Sequence, residues 1–229
     1  SLVLNRKIKA LLDERDNYSI FEIGAGCGYH AYFFANNKKL LRYDSTEAAE
    51  SFYFLQHLVL NDAFGQHFKE HAIPKPLEDD FFYNNLVSGS YEQTPIVQTA
   101  LVNQKMRCNH YPWWSYGKTL GNDKYDMVTS NANLLEFNEA ALDNYLELSG
   151  KILKDDGLFF SHCTGAYNNG KDLLYLKEKL KKHNFSVLFL STTGKNVEAN
   201  ISSKKFTHYP TNNNLLCVKN SHTYKDITN

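Results

Sequence analysis

The sequence predicts an α/β protein: a mostly parallel sheet with helices on both faces. Three observations carry that expectation. Strand-like and helix-like segments alternate, a glycine turn joins the first strand to a helix, and two late strands follow one another without a helical pattern between them. The 229 residues suffice for one sizeable domain and are short for two, so 1–229 reads as a single domain.

Taken in order, Leu2, Leu4, Ile8, Leu11 and Leu12 share one side of an amphipathic helix over 2–15. "YSIFEIG" is the first strand, and apolar and small residues from Ala31 to Ala35 continue as a helix. "KKLLRYD", 38–44, is a strand ending on an acid, followed by a helix over 46–60. The alternation resumes with the strand "KYDMVTSN", a helix from Asn138 closed by Gly157, and the strand "LFFSHC". "KDLLYLKEKLKKHN" is a further helix, and "FSVLFLST" and "NLLCVKN" form an antiparallel pair at one edge. The middle, 62–122, holds Pro74, Pro76, Gly89, Pro95, Pro112 and one strand near 105–111. It is longer than a normal connection, which suits a lid or substrate-binding insertion or, alternatively, an extra structural subdomain.

Hydrophobic content of 42% and charged content of 22% are those of an ordinary globular chain. Twenty-five basic residues balance 25 acidic ones, which disfavours a nucleic-acid partner. The lysine run 177–182 reads as a solvated helix face. Cys27, Cys108, Cys163 and Cys217 are widely spaced and form no CxxC pair, so they read as reduced thiols of a cytoplasmic protein. No apolar run is long enough to span a bilayer. The chain starts at Ser1 inside a helical pattern, which leaves room for an additional domain or a homo-oligomer.

The turn carries the chemistry. Gly24, Gly26 and Gly28 follow the first strand, where backbone N–H groups and a helix N-terminus face a ligand at the carboxyl end of the sheet. A Cβ there would block close approach. The dinucleotide pattern GxGxxG would need glycine at position 29, which is Tyr29, so a dehydrogenase is disfavoured. The chain reads E-x-G-x-G-x-G from Glu22 to Gly28, with Asp44 roughly twenty residues on. These residues, with "KYD" opening the fourth strand, resemble the class I S-adenosylmethionine-dependent methyltransferases. The resemblance implies a Rossmann-like, seven-stranded sheet with its last strand antiparallel, and an insertion between strands two and four. It implies S-adenosylmethionine as cofactor, with Gly24, Ala25, Gly26 and Gly28 around its methionine and ribose, Asp44 on the ribose diol and Glu22 orienting the turn. Ser130 and Asn131 complete the expected cofactor set, and Cys27 is a small residue that fits.

A narrower resemblance covers about 18–165. The segment with "FYFL", Phe52 to Leu55, and the segment "DMVTSNANLLEFNEAALDNYL" look like putative sugar O-methyltransferases. Asp126, Glu136, Tyr145 and Leu146 match in register, whereas Ser130, Asn133 and Phe137 depart from the pattern. The implied acceptor is a sugar hydroxyl, on a small molecule or a glycan. Such a hydroxyl needs a general base or a polarising metal. His162 is the preferred base because its pKa class suits neutral pH, with Glu136 as a second catalytic candidate. Trp113, Trp114, Asn133 and Tyr167 are the substrate-binding candidates, with core packing as the alternative for the tryptophan pair. The spacing "HFKEH", His67 to His71, places two imidazoles one helical turn apart but lacks a third ligand, so the need for a divalent metal stays open. The rivals are another small-molecule acceptor and a non-catalytic binding domain.

Overall fold

The computed structural model describes residues 2–72, 105–114, 123–165, 171–192 and 213–220. They separate into two compact units, the first drawn from 1–17 and 26–119, the second from 18–25 and 120–229. Most of the expected insertion, and Tyr167, lie outside the described residues.

In the first unit, helix α1 (Leu2–Leu11) precedes α2 (His30–Ala35), strand β2 (Leu40–Glu47), α3 (Glu50–Phe64), a short 3-10 turn, β3 (Phe68–Glu70) and β4 (Arg107–Pro112). Strands β3 and β2 flank β4, both parallel to it, with Glu70 opposite His110 and Asp44 opposite Asn109. The apolar face of α1, through Leu4, Ile8 and Leu12, is buried. Phe34, Tyr43 and Phe64 form an aromatic core, with ring centroids 4.9 and 5.9 Å apart. Strand β2 runs three residues beyond the expected end at Asp44, and α3 starts at Glu50 rather than at 46. The reason is local. Glu47 accepts hydrogen bonds from the N–H groups of Ala48 and Ala49, at 2.8 and 2.9 Å, and so closes the strand where the helix begins.

The expected helical pairing of His67 with His71 does not form. Residues 68–70 are a strand, because Phe68 and Glu70 pair in register with Cys108 and His110. Tertiary pairing has overridden the local pattern.

In the second unit, β1 (Tyr18–Ile23), β5 (Tyr125–Ser130) and β6 (Leu153–His162) are parallel neighbours, with Ile23 opposite Ser130 and Thr129 opposite Phe160. Strand β8 (Asn213–Lys219) lies antiparallel between β6 and β7 (Phe185–Thr192), as the two late strands predict. Eight strands are thus described where seven were expected, the short β3 among them. Helix α4 (Glu139–Ile152) is capped by Asn138, whose side chain accepts the Ala141 N–H. It ends five residues before Gly157: Leu153 already pairs with Tyr125, and Leu158 with Met127, so Lys154–Gly157 bulge outward between them. Helix α5 (Leu173–Lys182) is capped by Asp172. Its lysine run is not uniformly solvated. Lys179 is buried and holds Glu139 at 2.6 Å and Asp143 at 2.8 Å, tying α5 to α4. No helix among the described residues is long and apolar enough to cross a membrane.

Asp126, buried on β5, joins three elements of this unit. One oxygen accepts from Lys154 at 2.8 Å, the other from the Ser19 N–H and hydroxyl at 2.8 and 2.9 Å. Burial alone would raise its pKa, but the Lys154 and Ser19 bonds outweigh it and hold the carboxyl below the usual aspartate value. The resulting stability is therefore present above the ordinary aspartate pKa and lost as pH falls through the depressed folded one. Asp126→Asn should cost about 1–2 kcal/mol at neutral pH, the solvent-screened Lys154 contact keeping the figure low. It should also flatten the loss of stability below about pH 4, measured by urea denaturation across pH.

Candidate functional site

The glycine turn is built where the sequence places it, and each unit anchors its own part. In the second unit, Gly24 has φ of 66°, and a Cβ there would stand 2.1 Å from the Asn133 side-chain nitrogen. That amide donates to the carbonyls of Ile23 and Gly24 at 3.1 and 3.0 Å, while the Ser130 hydroxyl donates to its oxygen. Asn133 and Ser130 therefore clamp the backbone leaving β1. Glu22 is 1% exposed and accepts from the Asn131 amide at 3.0 Å. The Asn131 oxygen accepts the His162 N–H at 3.0 Å, which links the carboxyl ends of β1, β5 and β6. Ala132 and Cys163, both with φ of 63°, turn the loops after β5 and β6, and the Ala132 N–H donates to the Cys163 carbonyl. The His162 ring, half-buried, meets the Asn214 amide oxygen through Nδ1 at 3.0 Å, which makes Nε2 the basic nitrogen. Glu136 is exposed on the loop after β5, beside Gly165, and Ala25 is half-buried in the turn.

In the first unit, Gly26 has φ of 56°, and none of the described residues lies within 4 Å of where a Cβ would stand. Its N–H donates to Glu47 Oε2 at 3.0 Å and its carbonyl accepts from the Gln56 amide at 2.7 Å. The same amide reaches Glu47 Oε2 at 3.2 Å, and Gly28 packs against the Gln56 side chain. Glu47 and Gln56 were not among the sequence candidates. The signal for Glu47 was an acid directly before a helix, one turn-length past the acid that drew attention. Asp44 sits inside β2, fully buried, with Arg42 Nε at 2.6 Å and the Asn109 N–H and amide at 3.0 and 2.8 Å. Trp113 and Trp114 are 52% and 62% exposed and perpendicular to one another, so they are not core residues.

A second cluster lies in this unit. Glu70 Oε2 stands 3.0 Å from His57 Nδ1 and 2.9 Å from His110 Nδ1, and Oε1 accepts the Tyr53 hydroxyl and the Ala72 N–H. Burial would raise the Glu70 pKa, but the bonds from His110 and His57 hold it far below the carboxylate range. Burial and the Glu70 charge push the Tyr53 hydroxyl upward, and burial pulls His110 down. His71, the other half of the expected imidazole pair, instead stacks on Tyr111 and bonds Asn109.

No protein-family model and no curated protein matches the chain. Solved structures do. The TehB-like SAM-dependent methyltransferase of Corynebacterium glutamicum superposes with a TM-score of 0.55 at 10% identity, over 94% of this chain and 86% of that one. The methyltransferase domain of bacterial CtHen1-C gives 0.57 at 9% identity, over 95% and 97%. Magnesium protoporphyrin IX methyltransferase of Synechocystis PCC 6803, solved with bound SAM, gives 0.54 at 9% identity, over 95% and 78%. The fold is the Rossmann-like fold of these methyltransferases, as the sequence predicts.

Gly24 and Gly26 should respond differently to the same added carbon. Gly24→Ala meets both a left-handed backbone and the Asn133 amide and should cost about 3 kcal/mol. Gly26→Ala meets only the backbone and should cost about 1 kcal/mol. Chemical denaturation of the two variants reads the difference.

Proposed function

We propose that this protein transfers the methyl group of S-adenosylmethionine to a sugar hydroxyl, free, nucleotide-linked or on a glycan. The observation that carries the cofactor half is Gly26: a left-handed residue with open space at its missing Cβ and its amide on a strand-end carboxylate. A bulky polar ligand can reach that backbone. The donor set fits the cofactor, since a carboxylate closing a strand accepts from a vicinal diol. In this reading the acid is Glu47 rather than Asp44, because Asp44 is enclosed and ion-paired while Glu47 ends β2 beside the turn. Gly28 continues that backbone within the first unit; in the second, Glu22 and Asn131 orient the loops after β1 and β5, where Gly24, Ala25 and Ser130 are the cofactor candidates that the sequence offers.

When bound, the cofactor supplies a methyl carbon already activated by its sulfonium. The protein has only to align the acceptor and take its proton. His162 is assigned that proton at Nε2, with Asn214 holding Nδ1–H. Glu136 serves as a polar group on the acceptor's path. Trp113 and Trp114 offer exposed indole faces on which the C–H face of a sugar packs, and Tyr167 is assigned to the acceptor by the sequence, whereas Asn133 is withdrawn from that role because its amide is spent on the carbonyls of Ile23 and Gly24 and on Ser130. The free state of all four cysteines suits a cytoplasmic setting.

Calorimetry with S-adenosylhomocysteine tests the cofactor half, and absence of binding by the wild-type chain would reject it. Glu47→Gln should weaken that binding tenfold to a hundredfold, on the order of 1.5–3 kcal/mol for a charge-assisted hydrogen bond. Gly26→Ala should bind at least as poorly despite its modest effect on folding. His162→Asn should retain S-adenosylhomocysteine binding while turnover falls by about 10²–10⁴. Nucleotide sugars screened beside small phenols decide the acceptor: turnover on phenols alone would replace the sugar.

A further inference from the structure

We propose that His57, Glu70 and His110 form a binding site for a divalent cation of the zinc class. The three donors come from three elements, α3, β3 and β4, and their ligand atoms all lie within 4.8 Å of one another. Two imidazole nitrogens, both Nδ1, converge on the same carboxylate oxygen at 3.0 and 2.9 Å. Donors on a four-coordinate zinc, at bond lengths of about 2.0–2.1 Å, stand about 3.4 Å apart. Both nitrogen–oxygen spacings therefore lie within a few tenths of an ångström of that ligand spacing, and the third separation is within 4.8 Å.

The surroundings favour an ion over a hydrogen-bonded carboxylate alone. The Glu70 side chain is 7% exposed, yet among the described residues its partners are two imidazoles, a tyrosine hydroxyl and a backbone N–H, with no guanidinium or ammonium. A buried carboxylate without a fixed cation is costly, and a divalent ion between the three donors supplies the missing charge. The positioning groups around the set are also present. Tyr53 donates to the oxygen of Glu70 that the imidazoles do not use, and its ring stacks on His110 at 3.9 Å and 16°. His110 is fully buried and among the described residues has no partner at Nε2, so Nδ1 is the nitrogen that this ring presents to the cluster. His57 is 19% exposed, which leaves an approach for the ion and a water as fourth ligand. The chemistry of two imidazoles and one carboxylate suits zinc, and cobalt(II) as its spectroscopic substitute, better than magnesium.

Bound there, the ion would cross-link the short strand β3 and helix α3 to β4. Cobalt(II) titrated into the metal-stripped full chain should give one equivalent of binding with intense visible bands, displaced by zinc(II). Zinc should also raise the melting temperature of the wild-type chain. His57→Gln, at a half-buried position, should lower cobalt affinity at least a hundredfold and abolish the zinc-induced shift, and Glu70→Gln should do the same if it folds. Absence of cobalt binding by the wild type, or unchanged one-to-one binding by His57→Gln, would overturn the site. S-adenosylhomocysteine calorimetry on the same preparation keeps this result apart from the methyltransferase reading.

Discussion

The left-handed backbone at Gly24 and Gly26 is the constraint on which the other features depend. An L-residue with a side chain adopts that conformation only at a cost of about 1–2 kcal/mol, so the turn is specified by composition before any packing acts. Packing then fixes it in two different ways. At Gly24 the missing Cβ makes room for the Asn133 amide, which binds two successive carbonyls. At Gly26 the missing Cβ faces none of the described residues, while both backbone polar groups are held by Glu47 and Gln56. One glycine is a structural necessity and the other keeps a surface clear.

The polar groups that hold the strand ends are buried or half-buried and all paired, which is why they can be precise. Asn131 spans Glu22 and the His162 backbone, and Asn133 spans Ser130 and the turn, so each amide uses donor and acceptor ends on different partners. A buried network of this kind rigidifies the loops after β1, β5 and β6 only because its members are satisfied together. Farther from the turn, Asp126 and Lys179 do the same for the outer elements through charge.

Much of the fold was legible in the sequence because it rests on periodicity and punctuation. The glycines after "YSIFEI", the strand pattern of "KYDMVTSN" and the apolar core "VLFL" of "FSVLFLST" each mark an element without reference to anything distant. What misled was pairing. "HFKEH" has helical spacing, yet Phe68 and Glu70 are opposite Cys108 and His110, forty residues on in sequence. "LKDDG" reads as the end of a helix, yet Leu153 is opposite Tyr125. The candidate site was legible on the same terms: Gly24, Gly26, Asn131 and Asn133 were singled out, while Gln56 and Glu47 were not. Their roles arise from hydrogen bonds to a backbone that lies twenty to thirty residues earlier, and no local pattern encodes that. His57 and Glu70 escaped for the same reason, since neither shares a motif with the other or with His110.

Three acidic side chains of the first unit show how environment divides like residues among unlike tasks. Asp44 has a guanidinium at 2.6 Å and two donors from Asn109, so its charge is neutralised within the sheet and welds β2 to β4. Glu47 is bound by three backbone N–H groups and an amide. Neutral donors of that kind fix a carboxylate without cancelling its charge, and hydroxyl groups of a ligand can join or replace the weakest of them, the 3.2 Å contact from Gln56, without separating an ion pair. Glu70 is bound chiefly by imidazoles, the one side chain among these partners that can exchange a proton for a metal ion at neutral pH. Sequence alone presents three carboxylates near the second strand and its following helix. Their partners make one a brace, one an acceptor for hydroxyls and one a ligand, and it is the absence of a guanidinium, rather than the presence of an acid, that separates the last two from the first.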